Sequence, residues 1–511
     1  MTARPVTLAA FVVALLAAAP LMAVLMSLAA PFGDTIRHVA ATTGAAYAAG
    51  TLGLMLMTGV LTTLIGVGAA LCVALADFPG RRVLSFALAA PLAVPAYIAA
   101  YAYGDFFGPF GFFAGLGGPA VDVKGFWGAV LVLTMTLYPY VYLAARAALE
   151  ARSGAYLEAA QLAGASPLRA ALGLLAPSAA PAIAGAALLV MMETAADFGV
   201  ADYFGVQTLS VGVFRTWNAF GDLTAAAQLA SLLVLIAILL VAADAAARRG
   251  GADEGARTSR ASRRLAPRGF AAAGVVLLCA APPALGAVLP VAVIAGKLQG
   301  GTMRGLAEAF LNSALAASAG AILIIAAAGL LAYAARAAKG PLFAAALRVA
   351  TLGYALPGAV IAIGVFSAGA ALLGAGVAKA TGLGALLYAY AARFLTAGFN
   401  VLSGGLAGVT PAVDGAARVL GAGAPRLAFL IHAPLMAPSI AAAAIILFVD
   451  ITKELPATLI LRAFNFETLA TRVYRLAGDE RLAEAAPAAL TLIGLGVLPV
   501  LALSLLVRNE R

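Results

Sequence analysis

The sequence predicts an all-α polytopic membrane protein with about 12 transmembrane helices, arranged as two parallel six-helix repeats. Three observations carry this expectation. Hydrophobic residues make up 64% of the 511 and charged residues only 11%, against roughly a quarter charged in soluble domains. Such a chain lacks the polar groups to cover itself in water. Its apolar residues fall into runs of the length a bilayer requires. Finally, the stretch EAAQLAGASPLRAALGLLAPSAAPAI, Glu158 to Ile183, returns as GAARVLGAGAPRLAFLIHAPLMAPSI, Gly415 to Ile440. Gly164/Gly421, Arg169/Arg426, Pro177/Pro434, Pro181/Pro438 and Ile183/Ile440 match at a constant offset of 257 residues.

Crossing a bilayer as a helix takes about 20 mostly apolar residues. Twelve runs qualify, near 6–30, 48–76, 83–104, 126–145, 177–197, 224–246, 270–296, 312–335, 342–371, 383–405, 434–455 and 485–507. The first far exceeds the roughly 7–15 apolar residues of a signal peptide, and removing it would leave an odd count, so it is kept as a span.

Cytoplasmic loops are rich in Lys and Arg. With the N-terminus inside, 20 of the 32 basic residues and 8 of the 22 acids fall on the inner side. Eleven basic residues and 14 acids fall outside, and Arg393 lies within a span. The reverse orientation inverts that bias, so both termini are expected in the cytoplasm. The formal charge of +10 therefore needs no nucleic acid; basic loops beside anionic lipid account for it. The most basic segment, 248–269, is rich in Gly, Ser and Arg and reads as a linker between a first half, 1–247, and a second, 270–511.

Because each half has an even number of spans, the repeats are parallel, related by an axis along the membrane normal. Both copies of the repeated loop then lie on the cytoplasmic side, between spans 4 and 5 and between spans 10 and 11. Two equivalent loops on one side imply a partner with two equivalent docking surfaces. Within the first copy the alanines favour helix and Gly164 with Ala-Ser-Pro breaks it, which suggests a short helix, a tight turn and a second helix entering the membrane.

Few residues carry recognisable chemistry. Cys72 and Cys279 lie inside apolar runs and read as small core residues. His38 and His432 are too far apart for a zinc or iron site, and His432 reads as an interfacial residue. None of the five lysines precedes Ser or Thr, so there is no phosphate-binding Walker loop; any ATP must bind another polypeptide. After Pro177 and Pro434 each half has an uncharged run and then an acid, Glu193 or Asp450. At about 1.5 Å per residue this places the acid roughly 24 Å along the helix. Asp197 and Glu454 follow four residues later, on the same predicted face. The repeat would thus bring four carboxylates, Glu193, Asp197, Asp450 and Glu454, to the axis near the outer mouth. Charges at such depth mark pathways or internal pairing: these acids either attract a cation or cap helix ends and pair with Lys453 and Arg215. The tyrosines from Tyr97 to Tyr103 read as an interfacial aromatic belt. Arg393 reads as a packing residue held by a carbonyl or acid, and Gly364 and Ala368 as sites of close helix approach.

The EAA at Glu158, Ala159 and Ala160, Gly164, and Ala-Pro at 176–177 resemble the EAA loop of binding-protein-dependent ABC importer permeases of the type I architecture. The resemblance spans both halves and implies that the loop supplies a coupling helix for the ATP-hydrolysing subunit. In the second copy Ala416, Ala417 and Gly421 are retained, but Gly415 replaces the glutamate and Asp414 stands one position early. The stretches from Glu193 and from Asp450, above all KELPATLILR through FETLATRVY, resemble the ferric-iron branch, while related fused permeases carry thiamine. The resemblance implies a transport subunit in a bacterial plasma (inner) membrane, with no cofactor or catalytic residue of its own. Its partners would be two copies of a cytoplasmic subunit that binds ATP and Mg, and an external iron-binding protein. A six-plus-six secondary transporter would instead bury coupling carboxylates near the midplane, and a membrane-embedded enzyme would need a nucleophile, base or metal cluster that the sequence does not display.

Overall fold

The computed structural model describes residues 3–109, 111–119, 121–162, 175–249, 266–298, 303–337, 340–374 and 382–509, together with 166, 169 and 173. Among them every regular element is a helix. The first half is built on α1 (Ala3–Met26), α2 (Ala45–Leu75), α3 (Ala96–Phe107), α4 (Phe126–Leu162), α5 (Ala180–Ala196), α6 (Gly199–Tyr203), α7 (Leu209–Phe220) and α8 (Leu223–Arg249). The second repeats the order with α9 (Phe270–Pro283), α10 (Leu306–Ala337), α11 (Gly358–Leu373), α12 (Leu383–Ala407), α13 (Pro411–Val419), α14 (Ala437–Lys453), α15 (Pro456–Leu461), α16 (Leu469–Gly478) and α17 (Leu482–Asn509).

All twelve apolar runs are helical, but not all are single straight spans. Among the described residues seven helices are long and apolar enough to cross a membrane alone, and two further bent pairs bring the number to nine. Proline explains the exceptions. A residue before proline is pushed out of helical geometry, and Val94 before Pro95 and Leu356 before Pro357 are both extended, at ψ 114° and 137°. The third run therefore bends by 95° between Arg81–Ala93 and Ala96–Gly115, and the ninth divides at the matching place. In runs 5 and 11, Ala179 and Met436 interrupt the helix just before Pro181 and Pro438, with nearly identical dihedrals. The breaks themselves are repeated.

The halves share finer details. The N-cap of α7 is Thr208 and that of α16 is Thr468. The amide of Leu209 donates to Thr51 Oγ1 at 2.8 Å, and that of Leu469 donates to Ser313 Oγ at 2.8 Å. Each bond ties a short helix to the long helix of its own half, α2 or α10.

Each half's first helix crosses to the other. α1 packs on α10 and α11, while α9 and the following Leu289–Gly296 helix pack on α2 and α3. At the α1–α11 crossing a Cβ on Gly364 would collide with the backbone oxygen of Pro20, so the backbones meet there as the small-residue spacing predicts. Cys72 on α2 and Cys279 on α9 are free thiols packed in the same apolar cluster across this exchange. One apolar core joins α8 and α7 to α11 and α12, where Trp217 and Phe366 pack at 5.3 Å between ring centroids. A second joins α3 and α4 to α16 and α17.

Candidate functional site

The predicted carboxylates sit where α5 and α14 end. Asp197 and Glu454 lie just past the last helical turn, with ψ of 129° and 119°. They therefore do not share a helix face with Glu193 and Asp450, because the chain turns there into α6 and α15. Each caps the helix that follows. Asp197 Oδ1 accepts from the amides of Val200 at 2.9 Å and Ala201 at 3.2 Å. Glu454 accepts from the amides of Ala457 at 3.1 Å and Thr458 at 3.0 Å, and from Thr458 Oγ1 at 3.0 Å. These bonds supply acceptors for orphan helix amides.

Glu454 is also paired with Arg393, whose Nη1 donates to Oε1 at 2.6 Å. Their side chains are 1% and 15% exposed. Gly358 leaves the room, since a Cβ there would strike both partners. Arg393 is thus held by an acid, as expected of a charge in mid-span. Thr136 occupies the corresponding place in the first half, so this ion pair belongs to the second half alone. Arg215 pairs with neither expected acid: it meets Asp202 at 3.3 Å, and Tyr474 Oη donates to the same carboxylate at 2.7 Å.

Despite the turn, all four predicted acids line one cavity of about 240 Å³ built by both halves. Tyr97, Tyr140, Tyr354, Arg393 and Lys453 share its wall. The four acids divide into two kinds. Asp197 and Glu454 are committed to caps, whereas Glu193 and Asp450 have no hydrogen-bond partner among the described residues and lie within electrostatic range of one another. Both bases are engaged: Arg393 by Glu454, and Lys453 through Nζ, which donates to the carbonyl of Leu92 at 3.0 Å. That carbonyl is part of the proline-broken third run. Among the described residues no three His, Cys, Asp or Glu side chains come together as a metal-holding group.

The tyrosine run is not an interfacial belt. Tyr97, Tyr101 and Tyr103 are 6%, 2% and 2% exposed, because α3 is enclosed by α4, α6 and the Leu289–Gly296 helix. Tyr103 Oη donates to the carbonyl of Leu285 at 3.1 Å. Tyr97 Oη, on the cavity wall, is buried without a hydrogen-bond partner. The sequence did not single out Tyr140 or Tyr354: the first sits between Tyr138 and Tyr142 in an apolar run, and the second matches Tyr97 at the 257-residue offset. A second cavity, about 1090 Å³, is lined by acids and bases together, Asp105, Asp122, Asp202 and Glu480 with Lys124, Arg462 and Arg475.

The repeated loop differs between its copies. In the first, the backbone of Glu158, Ala159 and Ala160 continues α4 without a break to Leu162; their side chains and Gly164 lie outside the described residues. A separate short helix is therefore not formed there, since no Pro or Gly-Pro pair interrupts the good helix formers of 146–162. In the second, extended Thr410 and Pro411 at the first helical position start the separate helix α13. Ala416 and Ala417 lie on it, and Gly421, at φ +82°, closes it in the left-handed conformation that suits glycine. Val419 and Leu420 stand 88% and 87% exposed at its tip. His432 is not interfacial but buried, with Nε2 at 2.8 Å from Asp414 Oδ1.

Comparison with known proteins gives the same class. Residues 62–249 match the family of binding-protein-dependent transport system inner membrane components. The match lies in the first half, and together with the apolar helices and duplicated architecture it supports a multi-pass permease of that transport class. It is similar to the Fe(3+)-transport system permease protein FbpB 2 of Haemophilus influenzae, at 24% identity over 437 residues, 83% of this chain and 82% of that one. It is also 26% identical over 184 residues, 34% of this chain and 64% of the other, to a putative 2-aminoethylphosphonate transport system permease protein PhnU of Salmonella choleraesuis.

Proposed function

We propose that this chain is the membrane subunit of an ATP-driven importer that moves ferric iron across a bacterial inner membrane. The observation that carries the substrate is the imbalance of charge in the shared cavity. Four carboxylates but only two bases line it, and Glu193 and Asp450 accept no hydrogen bond among the described residues, whereas Arg393 is bonded to Glu454 and Lys453 to the carbonyl of Leu92. A cavity with four acids against two bases, two of the acids without hydrogen bonds, favours a hard cation, which prefers oxygen ligands, over a phosphonate, which would need the bases. Two such carboxylates give attraction without the ligand set of a storage site, and a conduit must release what it admits. Similarity to an Fe(3+)-transport permease along most of the chain supports the same choice.

The chain itself makes and breaks no bond. Two copies of a separate ATPase would dock on the cytoplasmic face, one at the loop around Glu158, Ala159, Ala160 and Gly164, the other on α13 with Ala416, Ala417 and Gly421. An external binding protein would deliver iron at the opposite end, above the larger cavity. Pressing on the paired loops would rock the halves about their common axis and open the small cavity to each side in turn. The sequence-derived orientation, with both termini inside, supports this arrangement.

The test is reconstitution in proteoliposomes with candidate partners. Iron-loaded binding protein should raise ATP hydrolysis and drive iron uptake. Stimulation by a thiamine- or aminoethylphosphonate-loaded protein alone would replace the substrate, and uptake driven by an ion gradient without an ATPase would replace the class.

A further inference from the structure

Asp414 stands one residue before the position that matches Glu158, and on sequence alone it looks like a displaced version of the same acid. Its surroundings assign it another task. The two carboxylate oxygens are bound to two different elements. Oδ2 meets Arg336 Nη2 at 3.1 Å, near the end of α10. Oδ1 meets His432 Nε2 at 2.8 Å, at the end of the π-helical turn Leu427–His432 that leads into α14. Arg336 in addition donates to the carbonyls of Leu406 at 2.6 Å and Val409 at 2.9 Å, where α12 ends. The His432 ring packs against Tyr333, also on α10, at 5.7 Å between centroids. One carboxylate thus joins α13 to α10, α12 and the entry to α14. The Asp414 side chain is 15% exposed and its histidine partner 4%, so the acid is turned into the protein and is not presented on the outer face of α13.

Among the described residues the first half shows no such clamp. At the 257-residue offset, Leu157 stands for Asp414 and Leu175 for His432, and the helix matching α10 ends in Ala74 and Leu75 near the place of Arg336. Leu175 is fully buried in an apolar cluster.

We propose that Asp414, clamped between Arg336 and His432, is a positioning residue that makes α13 move as one body with α10 and the helical turn leading into α14. The path is short. α14 runs from just beyond this clamp to Asp450 on the cavity wall, and charge-assisted bonds hold their geometry more firmly than neutral ones. The inference rests on the proposed role of the loops as ATPase docking sites. It adds that the second loop is stiff by design of its charges, and that its missing glutamate is offset by an internal latch.

The test uses the full chain reconstituted with its ATPase and binding protein, comparing wild type, Asp414→Ala and Asp414→Glu. Three quantities are read: ATPase copies retained per permease, ATP hydrolysed, and iron carried per ATP. Asp414→Ala should keep its ATPase copies and continue to hydrolyse ATP, while iron carried per ATP falls by about fivefold or more. Asp414→Glu, which keeps the carboxylate, should recover most of that ratio. An unchanged ratio in assembled Asp414→Ala would overturn the proposal. So would loss of assembly that Asp414→Glu restores without separating assembly from coupling in any variant, including the milder His432→Gln. A wild-type chain that retains no ATPase would overturn the docking reading instead, and with it this inference.

Discussion

The Glu454–Arg393 pair permits the sharpest energetic prediction. Glu454→Gln removes the charge but not the volume, and leaves a guanidinium only 15% exposed without its hydrogen-bonded carboxylate. Removing one partner of a buried pair costs about 3–5 kcal/mol, and weakening the acceptors for the Ala457 and Thr458 amides adds about 1 kcal/mol. Arg393→Met should cost less, about 1–3 kcal/mol, because the carboxylate it abandons still accepts two amides and the Thr458 hydroxyl. Combining the two changes should be less damaging than their sum, with a coupling of about 2–3 kcal/mol in the double-mutant cycle. Loss of folded, monodisperse protein against temperature in detergent ranks the four proteins. Purely additive effects would refute the idea that these groups satisfy each other. A Glu454→Gln chain as stable as wild type would refute the burial argument altogether.

Three other outcomes follow from the packing. Gly364→Val should destabilise by about 1–3 kcal/mol or more because its Cβ meets the rigid Pro20 carbonyl, while Gly404→Ala, with open space around it, should be neutral or slightly stabilising; melting of the two purified variants decides. Thr51→Val and Ser313→Ala each delete the acceptor for one matched amide, and should each lower stability by a similar amount, about 1 kcal/mol. Mild oxidation should join Cys72 to Cys279, the only cysteines in the chain. After proteolysis within the basic linker the halves should then migrate together without reductant and apart with it; separate migration in both would contradict the helix exchange.

Much of the fold was legible because bilayer crossing imposes long apolar runs that no other constraint mimics. The repeat was legible because Gly and Pro punctuate both copies at one spacing. The exchange of α1 and α9 between halves was not, since lipid-facing and partner-facing apolar helices have the same composition. The acids at 193, 197, 450 and 454 were found, and the cavity brings them together. Their division into free and capping pairs was hidden, because it depends on the turn after Ala196 and Lys453, and helical periodicity assumes there is none. Tyr97 was misjudged for a related reason: a tyrosine at a span end reads the same whether it faces lipid headgroups or another helix. The Asp414 latch was out of reach because its partners, Arg336 and His432, lie far from it in sequence and have no echo in the other half.

The central claim is that two carboxylates without hydrogen bonds, one from each repeat, draw the cation through the shared cavity. Iron uptake by proteoliposomes carrying Glu193→Gln together with Asp450→Asn measures it most directly, alongside ATP hydrolysis stimulated by iron-loaded binding protein. Stimulated hydrolysis should persist while uptake falls by about tenfold or more, equivalent to at least about 1.4 kcal/mol of lost attraction. Uptake equal to that of the wild type in a fully assembled double variant would contradict it.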